Sequence, residues 1–287
     1  MDPRISVVMV TRNRVDETLR SLSMLGALPE RPPIVLVDNA SSDGTAAAVR
    51  RVHPDVRVVE LDENFGSGAR NDGVALVDTP YVAFADDDSW WAPGSLSDAA
   101  DALERHPRLA AVSARVLVGE EAREDPICAE QATSPLPREP DLPGPPIMGF
   151  LACALAIRCS AFEQAGGFER RMMIGGEEDL LAADLASAGW ALCYLPELTV
   201  HHHPSHRRSV SRRRRTSTRN SLWFAWLRRP APSALRHTAR VLGHAGRDRA
   251  ALAGVVDAVR AAPWVLRGRR VVPRGVEASL RLLESAR

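Results

Sequence analysis

Four short runs of apolar, β-branched residues alternate with stretches of helical character in the first third of the 287-residue chain: ISVVMV at 5–10, IVLVD at 34–38, VRVVEL at 56–61 and YVAFA at 81–85. Runs of this kind are strands buried on both faces, as in parallel sheets. Helices are predicted over 15–25, 45–51, 68–77 and 93–105, and a fifth strand over 110–117. The β-α-β-α order predicts a doubly wound, mostly parallel α/β sheet with helices on both faces. Ligands of such a sheet sit beyond the carboxyl ends of its strands. The residues at those ends therefore decide the function.

The alternation breaks at 119–147, where seven prolines and several acids fall without periodicity. This reads as a long loop, either a linker or a lid over a site. Order resumes at 149–158 (GFLACALAIR), with a helix predicted over 177–188 and a strand over 191–195. Beyond 204 the chain is Arg-rich, with helical stretches at 222–227, 233–262 and 275–285. The length suits one large α/β domain, 1–203, and a smaller helical extension, 204–287.

Charge follows the same division. Residues 1–200 hold 17 Arg against 32 acids, a net −15, and residues 201–287 hold 20 Arg against 4 acids, a net +16. Such an asymmetry suggests that the tail meets something anionic: a membrane surface, a phosphorylated acceptor, nucleic acid, or the acidic front of the same chain. All 37 basic residues are Arg, which excludes Schiff-base lysine chemistry. The four cysteines have no CxxC spacing and read as small hydrophobes in a reducing compartment. No run of about 18 apolar residues is present, so no membrane-spanning helix is expected. MDPRISVVMV lacks the layout of a signal peptide, and a cytoplasmic location is expected.

The strongest local signal is Asp86-Asp87-Asp88 after YVAFA. Adjacent carboxylates repel one another unless a cation neutralises them, and Mg²⁺ or Mn²⁺ favours such ligands with phosphate oxygens completing the shell. The bland alternative is a solvated acidic loop that caps the next helix. Asp38 ends the strand IVLVD, where a carboxylate can accept from a base N–H or a ribose hydroxyl; the following Ser42, Asp43 and Gly44 are explained by turn chemistry alone. Asn64-Phe65-Gly66 leads into Ala69-Arg70-Asn71-Asp72-Gly73, a Gly-containing turn entering a helix that suits a phosphate, with Arg70 placed to pair with a diphosphate. No GxGxxG follows the first strand, and no Walker lysine exists.

TRN at 11–13, VDNASSDGT at 37–45, NFGSGARNDG at 64–73 and the acidic triplet resemble, in order and spacing, the family 2 glycosyltransferases. GGFERRMMIGGEEDLLAADLASAGW at 166–190 is similar to the family's acceptor-side signature, and LPELTVHHH at 195–203 to its closing strand. The resemblance implies a GT-A-type domain, a nucleotide-diphosphate sugar donor and inversion at the anomeric carbon. It places Thr11, Arg12, Asn13, Asp38, Asn39, Asn64, Gly66, Arg70, Asn71, Asp86 and Asp87 on the nucleotide-sugar side. Asp86 and Asp88 match the family's D-x-D pair, with Asp88 on the metal. Among His201, His202 and His203, His202 is favoured as a further metal ligand; a zinc site including His206 lacks a supporting cysteine pair. The family's catalytic base falls on Glu178 when counted back from Ala188-Gly189, and on Asp179 when read by letter. Glu178 is favoured, Asp179 stays open, and an acid-rich helix N-terminus is the bland alternative.

The expected reaction is a single displacement onto a hydroxyl of a saccharide, lipid-linked or small-molecule acceptor, with a divalent cation as cofactor. A nucleotidyltransferase would need a basic, Gly-rich loop after the first strand, which TRNRVDET does not supply. A nucleic-acid binder using SRRRR at 211–215 lacks a recognised fold around that run, so nucleic acid is not an expected partner. The tail clusters Arg207-Arg208, Arg212 to Arg215, Arg228-Arg229 and Arg267-Arg269-Arg270 interleave with 222–227 (LWFAWL) and 263–266 (PWVL), which suits an anionic membrane at the inner face of the cell.

Overall fold

The computed structural model describes residues 3–204, 210–246 and 248–286. Strand β1 (Ile5–Thr11) pairs in parallel with β2 (Ile34–Asp38) and β4 (Tyr81–Asp86), and β2 with β3 (Arg57–Glu60). β1, β2 and β4 are buried along nearly their whole length, as their unbroken apolar runs require. The register sets Thr11 beside Asp38 and Val10 beside Asp86, which brings the predicted donor residues to one edge of the sheet. Helices α1 (Val15–Gly26), α2 (Thr45–Val52) and α4 (Ser95–Arg105) cross between strands, and the third crossing is a 3₁₀ turn, Gly66–Ala69, running into α3 (Arg70–Val74). That crossing is shorter than the helix predicted over 68–77.

The second half of the sheet is mixed. β5 (Ser89–Trp91), β6 (Leu109–Val118), β8 (Leu155–Arg158) and β9 (Ala191–His202) complete the order β3-β2-β1-β4-β8-β6-β9-β5. β8 runs antiparallel between β4 and β6, while β6 and β9 form the longest parallel pair. β9 joins into one strand the predicted 191–195 and the closing strand expected at 195–203, with Pro196-Glu197-Leu198 looping out of register between them: Ala114 pairs with Leu195, and Arg115 next with Thr199. β5 returns antiparallel along β9 and sets Ser89 opposite His202.

The loop expected at 119–147 is partly ordered structure. It holds the two-residue β7 (Arg123–Glu124) and helix α5 (Pro126–Ala132). Asp125 caps α5 by accepting from the Ile127 N–H, and Pro126 occupies its first turn, where a missing N–H costs nothing. Helix α6 (Cys159–Ala165), not anticipated, leads through the segment 166–176 into α7 (Glu177–Ser187).

The described residues of the tail form five helices: α8 (Val210–Arg228), α9 (Ala231–Ala245), α10 (Arg249–Arg260), α11 (Ala262–Arg267) and α12 (Arg274–Ala286). Leu222, Trp223, Leu227 and Val265 pack on Met172 and Leu180, and Val272 and Leu280 pack on Leu136, Met148 and Ala183. Burying each large apolar side chain contributes roughly 1.5–3 kcal/mol. Two largely buried ion pairs add orientation: Arg228 with Asp184 of α7 at 2.5 Å, and Arg229 with Glu277 at 2.7 Å. The aromatic run 222–227, read from sequence as facing a bilayer, instead turns inward. Trp223 is buried and donates to Ala258 O, and Trp226 donates to Thr238 Oγ1. Among the described residues, no helix is long and apolar enough to cross a membrane.

Candidate active site

The donor-side residues gather at the carboxyl edge of β1, β2 and β4. Thr11 is buried and bonds Thr18 and Asp87 Oδ2. Asp38 is buried, its Oδ1 accepting the Ser41 N–H at 2.7 Å. Asn13 adopts a left-handed turn with φ 54°, and its Oδ1 accepts from the Ser42 N–H, which ties the end of β1 to the 38–45 turn. Asn39 reaches the next loop: its Nδ2 donates to Gly66 O and its Oδ1 accepts the Phe65 N–H. Asn64 closes a local turn by accepting the Gly66 N–H. Arg12 is exposed at the rim. Both polar ends of the Asn71 amide are taken by the backbone of Phe168, so this side chain holds the acceptor-side segment in place.

Gly66 has φ 58°, and a Cβ there would meet Met173 O at 2.3 Å, so only glycine fits this contact between donor loop and acceptor segment.

Arg70 is buried and ion-paired with Asp86. Burial works against its charge, but Asp86, Glu177 and Glu178 outweigh it and hold the guanidinium pKa above its ordinary value. Asp87 and Asp88 share a partner that the sequence reading missed. Arg14 Nη1 lies 2.8 Å from Asp87 Oδ1 and 3.0 Å from Asp88 Oδ2. Only its place one residue after Asn13 in the TRNR run hinted at this. Burial, against the pull of Arg14, raises the Asp87 carboxyl to about 7, with Asp88 and Asp86 adding repulsion.

Asp88 is buried 3.4 Å from His202 Nε2. Both ring nitrogens of His202 are buried and make no hydrogen bond. His201 and His203 turn away to pack on Trp90, at 5.7 and 4.8 Å between ring centroids. An imidazole nitrogen without a hydrogen-bond partner beside a buried carboxylate fits a divalent cation in its donor chemistry. Among the described residues, no group of three or more His, Cys, Asp or Glu forms a ready cage, so phosphate oxygens would have to supply the remaining ligands. His206 lies outside the described residues.

On the acceptor side, α7 opens with Glu177-Glu178-Asp179. Glu177 is buried near Arg70 and Ser67, and burial raises its pKa. Glu178 is half-buried, and its Oε1 accepts the Ala152 N–H at 2.8 Å. Burial first, and Glu177 next, push its carboxyl up to about 8. Asp179 is exposed. The site thus sets a positioned, proton-holding carboxyl near a buried arginine and an acidic edge that suits a cation.

The sequence model of Glycosyl transferase family 2 matches residues 6–166. The chain is 31% identical over 236 residues to N-acetylglucosaminyl-diphospho-decaprenol L-rhamnosyltransferase of Mycobacterium tuberculosis, covering 70% of this chain and 76% of that protein. It is 30% identical over 213 residues to pre-mycofactocin glycosyltransferase of the same organism, covering 69% of this chain and 42% of that one. In structure it resembles the mannosyltransferase PcManGT of Pyrobaculum calidifontis, solved with GDP-Man and Mn²⁺, with TM-score 0.58 and 21% identity over 99% of this chain and 87% of that one. It also resembles TarS of S. aureus in complex with UDP, with TM-score 0.56 and 17% identity over 77% and 64% of the two chains. None of the matches named here is a nucleotidyltransferase or a nucleic-acid-binding protein. The fold is of the GT-A type, and the chain is a glycosyltransferase belonging to family 2.

Proposed function

We propose that this glycosyltransferase moves a sugar, with inversion, from a nucleotide-diphosphate donor to a hydroxyl of a lipid-linked acceptor, with the help of a divalent cation. The observation that carries the reading is the placement of Glu178. It is half-buried, held by the Ala152 N–H, and close enough to Arg70 to feel its charge. A carboxyl raised to about 8 is matched to taking a proton from an attacking hydroxyl near neutral pH. Asp179 is exposed, whereas Glu178 is half-buried and held by a backbone N–H, which favours Glu178 as the base. Thr11, Asp38, Asn39 and the turn at Gly66 line the edge on which the nucleotide would lie. Arg70, with the cation, would stabilise charge on the leaving diphosphate. Asp86, Asp88 and His202 would hold that cation, which supplies Lewis-acid stabilisation of the leaving group when bound. The functional unit would comprise the α/β domain, 1–203, and the helical extension, 204–287.

The lipid-linked acceptor rests on the name of the Mycobacterium tuberculosis relative and on one surface of the tail. On α10, Leu252, Val256 and Val259 are exposed at one-turn spacing, a continuous apolar stripe with exposed Arg249 and Arg260 at its ends. Leu235 and Leu242 of neighbouring α9 are also exposed. An apolar ridge flanked by arginines suits the headgroup boundary of an anionic bilayer. This face takes the role that the sequence reading gave to the tryptophans.

Comparing Glu178→Gln with Asp179→Asn in turnover and in donor binding tests the catalytic reading. Loss of turnover only in Asp179→Asn would move the base, and no loss in either would remove it from α7. Co-sedimentation with phosphatidylglycerol or neutral phosphatidylcholine vesicles tests the surface. Binding should require the anionic lipid, weaken with salt and fall in a Leu252→Ser/Val256→Ser/Val259→Ser variant; equal binding by that variant would sink the assignment.

A further inference from the structure

The segment between α6 and α7 has an irregular backbone that cannot satisfy itself. Met173, Gly175 and Gly176 have φ of 65°, 91° and 93°. Four successive carbonyls, from Met172 to Gly175, are directed at neighbours outside the segment, and each is captured. The donor-side turn takes one: Met173 O accepts both the N–H and the hydroxyl of Ser67, each at 2.7 Å. Asn220 of α8 takes the other three. Its Nδ2 donates to Met172 O at 2.8 Å, Ile174 O at 3.3 Å and Gly175 O at 2.5 Å. An amide nitrogen has two hydrogens, so the three carbonyls share them. The orientation of the amide is fixed from the other end, where Asn220 Oδ1 accepts from Arg219 Nε at 2.9 Å. Arg219 donates again to Met172 O at 2.9 Å and stacks over Trp223 at 4.2 Å. Asn220 is completely buried.

The gripped segment ends at Gly176, the residue before the first turn of α7, which carries Glu177 and Glu178. A Cβ on Gly176 would stand 3.4 Å from Asn220 Cβ, so helix α8 lies directly against the start of α7. One side chain from the tail therefore sets where the acidic N-terminus of α7 begins. Ser67 links the same segment to the donor-side turn that leads to Arg70.

We infer that Asn220, far outside the α/β motifs, is a positioning residue for the transfer reaction: through the carbonyls of Met172, Ile174 and Gly175 it holds Glu178 against the Ala152 N–H. This deepens the reading of Glu178 as base and rests on it. It also gives the tail a part in catalysis that neither charge nor membrane contact requires.

The test reads the setting of Glu178 without relying on turnover. Burial keeps Glu178 protonated in the folded chain to about pH 8, while the unfolded chain releases that proton near the ordinary 4.5. Between these values the folded chain holds the extra proton, so stability falls as pH rises. Glu178→Gln lacks this cost, so its Tm advantage over wild type grows from pH 4.5 to 8 and is flat above. The charges around Glu178 are Glu177 and Asp179 of its own helix and Arg70 of α3; Cys153, beside Ala152, is held protonated by burial. The same Glu178→Gln comparison is made in an Asn220→Ala background, with Asn220→Ser as the second variant should the alanine protein fail to fold. Released to solvent, Glu178 should lose its raised pKa, and the pH-dependent Tm advantage should shrink by at least half. An undiminished advantage in the Asn220 background would overturn the inference. Turnover, followed as release of GDP from GDP-mannose and of UDP from UDP-N-acetylglucosamine, keeps the two readings apart. If Glu178→Gln retains turnover, the base reading falls, while the Tm comparison still decides what Asn220 holds. If Glu178→Gln loses turnover and the Asn220 variant keeps wild-type kcat, Asn220 has no part in the reaction.

Discussion

The two halves of the proposed site are built differently. The donor half lies at the ends of three adjacent parallel strands, where short local turns brace it through backbone N–H groups: Asp38 Oδ1 accepts from Ser41, Asn64 Oδ1 from Gly66, and Ser89 Oγ from Asp86. The acceptor half has no such frame. Glu178 is held by residues far away in the chain, Ala152 from beside β8 and Asn220 from α8, across a segment rich in positive φ. Strand ends place carboxylates with little help, because sheet hydrogen bonds fix the backbone. An irregular loop places a carboxylate only if other elements capture its carbonyls. The donor half should therefore fail locally when mutated, and the acceptor half should also fail from a distance.

The largest effect expected is on the donor half. Asp88→Ala should abolish the divalent-dependent part of nucleotide binding with the fold intact, a loss beyond the 10–100-fold typical of an outer-shell partner. Calorimetric titration of GDP and UDP with Mn²⁺ or with EDTA reads this; wild-type affinity in the Mn²⁺ arm of the variant would dismiss the D-x-D assignment. On the acceptor half, Glu178→Gln should lower turnover at least ~10²-fold with donor affinity kept, the usual scale for a general base. Because the carboxyl must be ionised to accept a proton, wild-type kcat/KM should rise with pH through about 8. A flat profile from pH 6 to 9 would separate the titration of Glu178 from the rate.

Much of the donor half was legible because its signals are local. The strand runs and their terminal acids gave the sheet edge, and the triplet gave Asp86, Asp87 and Asp88 together. Arg14 was not legible, because nothing in TRNR says which arginine turns inward; Arg12 is exposed while Arg14 pairs with two of the acids. The acceptor half was legible only as an acidic helix start. Letters alone leave Glu178 and Asp179 both open; the contact on which the proposal for Glu178 rests, the Ala152 N–H, lies 26 residues away in the chain. Asn220 gave no signal at all: one amide in an Arg-rich run has no meaning until the carbonyls of 172–175 are placed beside it. The prolines of 119–147 misled for a related reason. A proline breaks a helix interior but starts a helix at its first turn, and Pro126 follows a capping Asp125.

A smaller effect is expected where the tail grips α7. Arg228→Ala would leave Asp184 without its cation. A broken buried pair costs about 3–5 kcal/mol, and the partial exposure of Asp184 should bring this to roughly 2–3 kcal/mol. Urea unfolding measures it. A cost below about 1 kcal/mol would mean that apolar packing alone docks the tail.

The smallest effects separate specific contacts from bulk charge. The sequence split of −15 and +16 invites the idea that the tail clings to the acidic domain by general attraction. The ion pairs say otherwise. Arg214 pairs with Asp248 and Arg215 with Asp257, both inside the tail, with half or more of each arginine side chain exposed. Exposed pairs of this kind contribute little and are screened by salt. Arg214→Ala and Arg215→Ala should each move the urea midpoint less than Arg228→Ala does, with the difference from wild type vanishing at high salt. The Arg228→Ala loss, from a pair shielded by α7 and α8, should persist in the same salt series. Were general attraction the clamp, wild-type stability itself would collapse as salt rises and all three variants would become indistinguishable from it. A wild type that holds its stability, with only Arg228→Ala set apart, would locate the grip of the tail in that buried pair and the apolar seam around Leu222, Trp223 and Leu227.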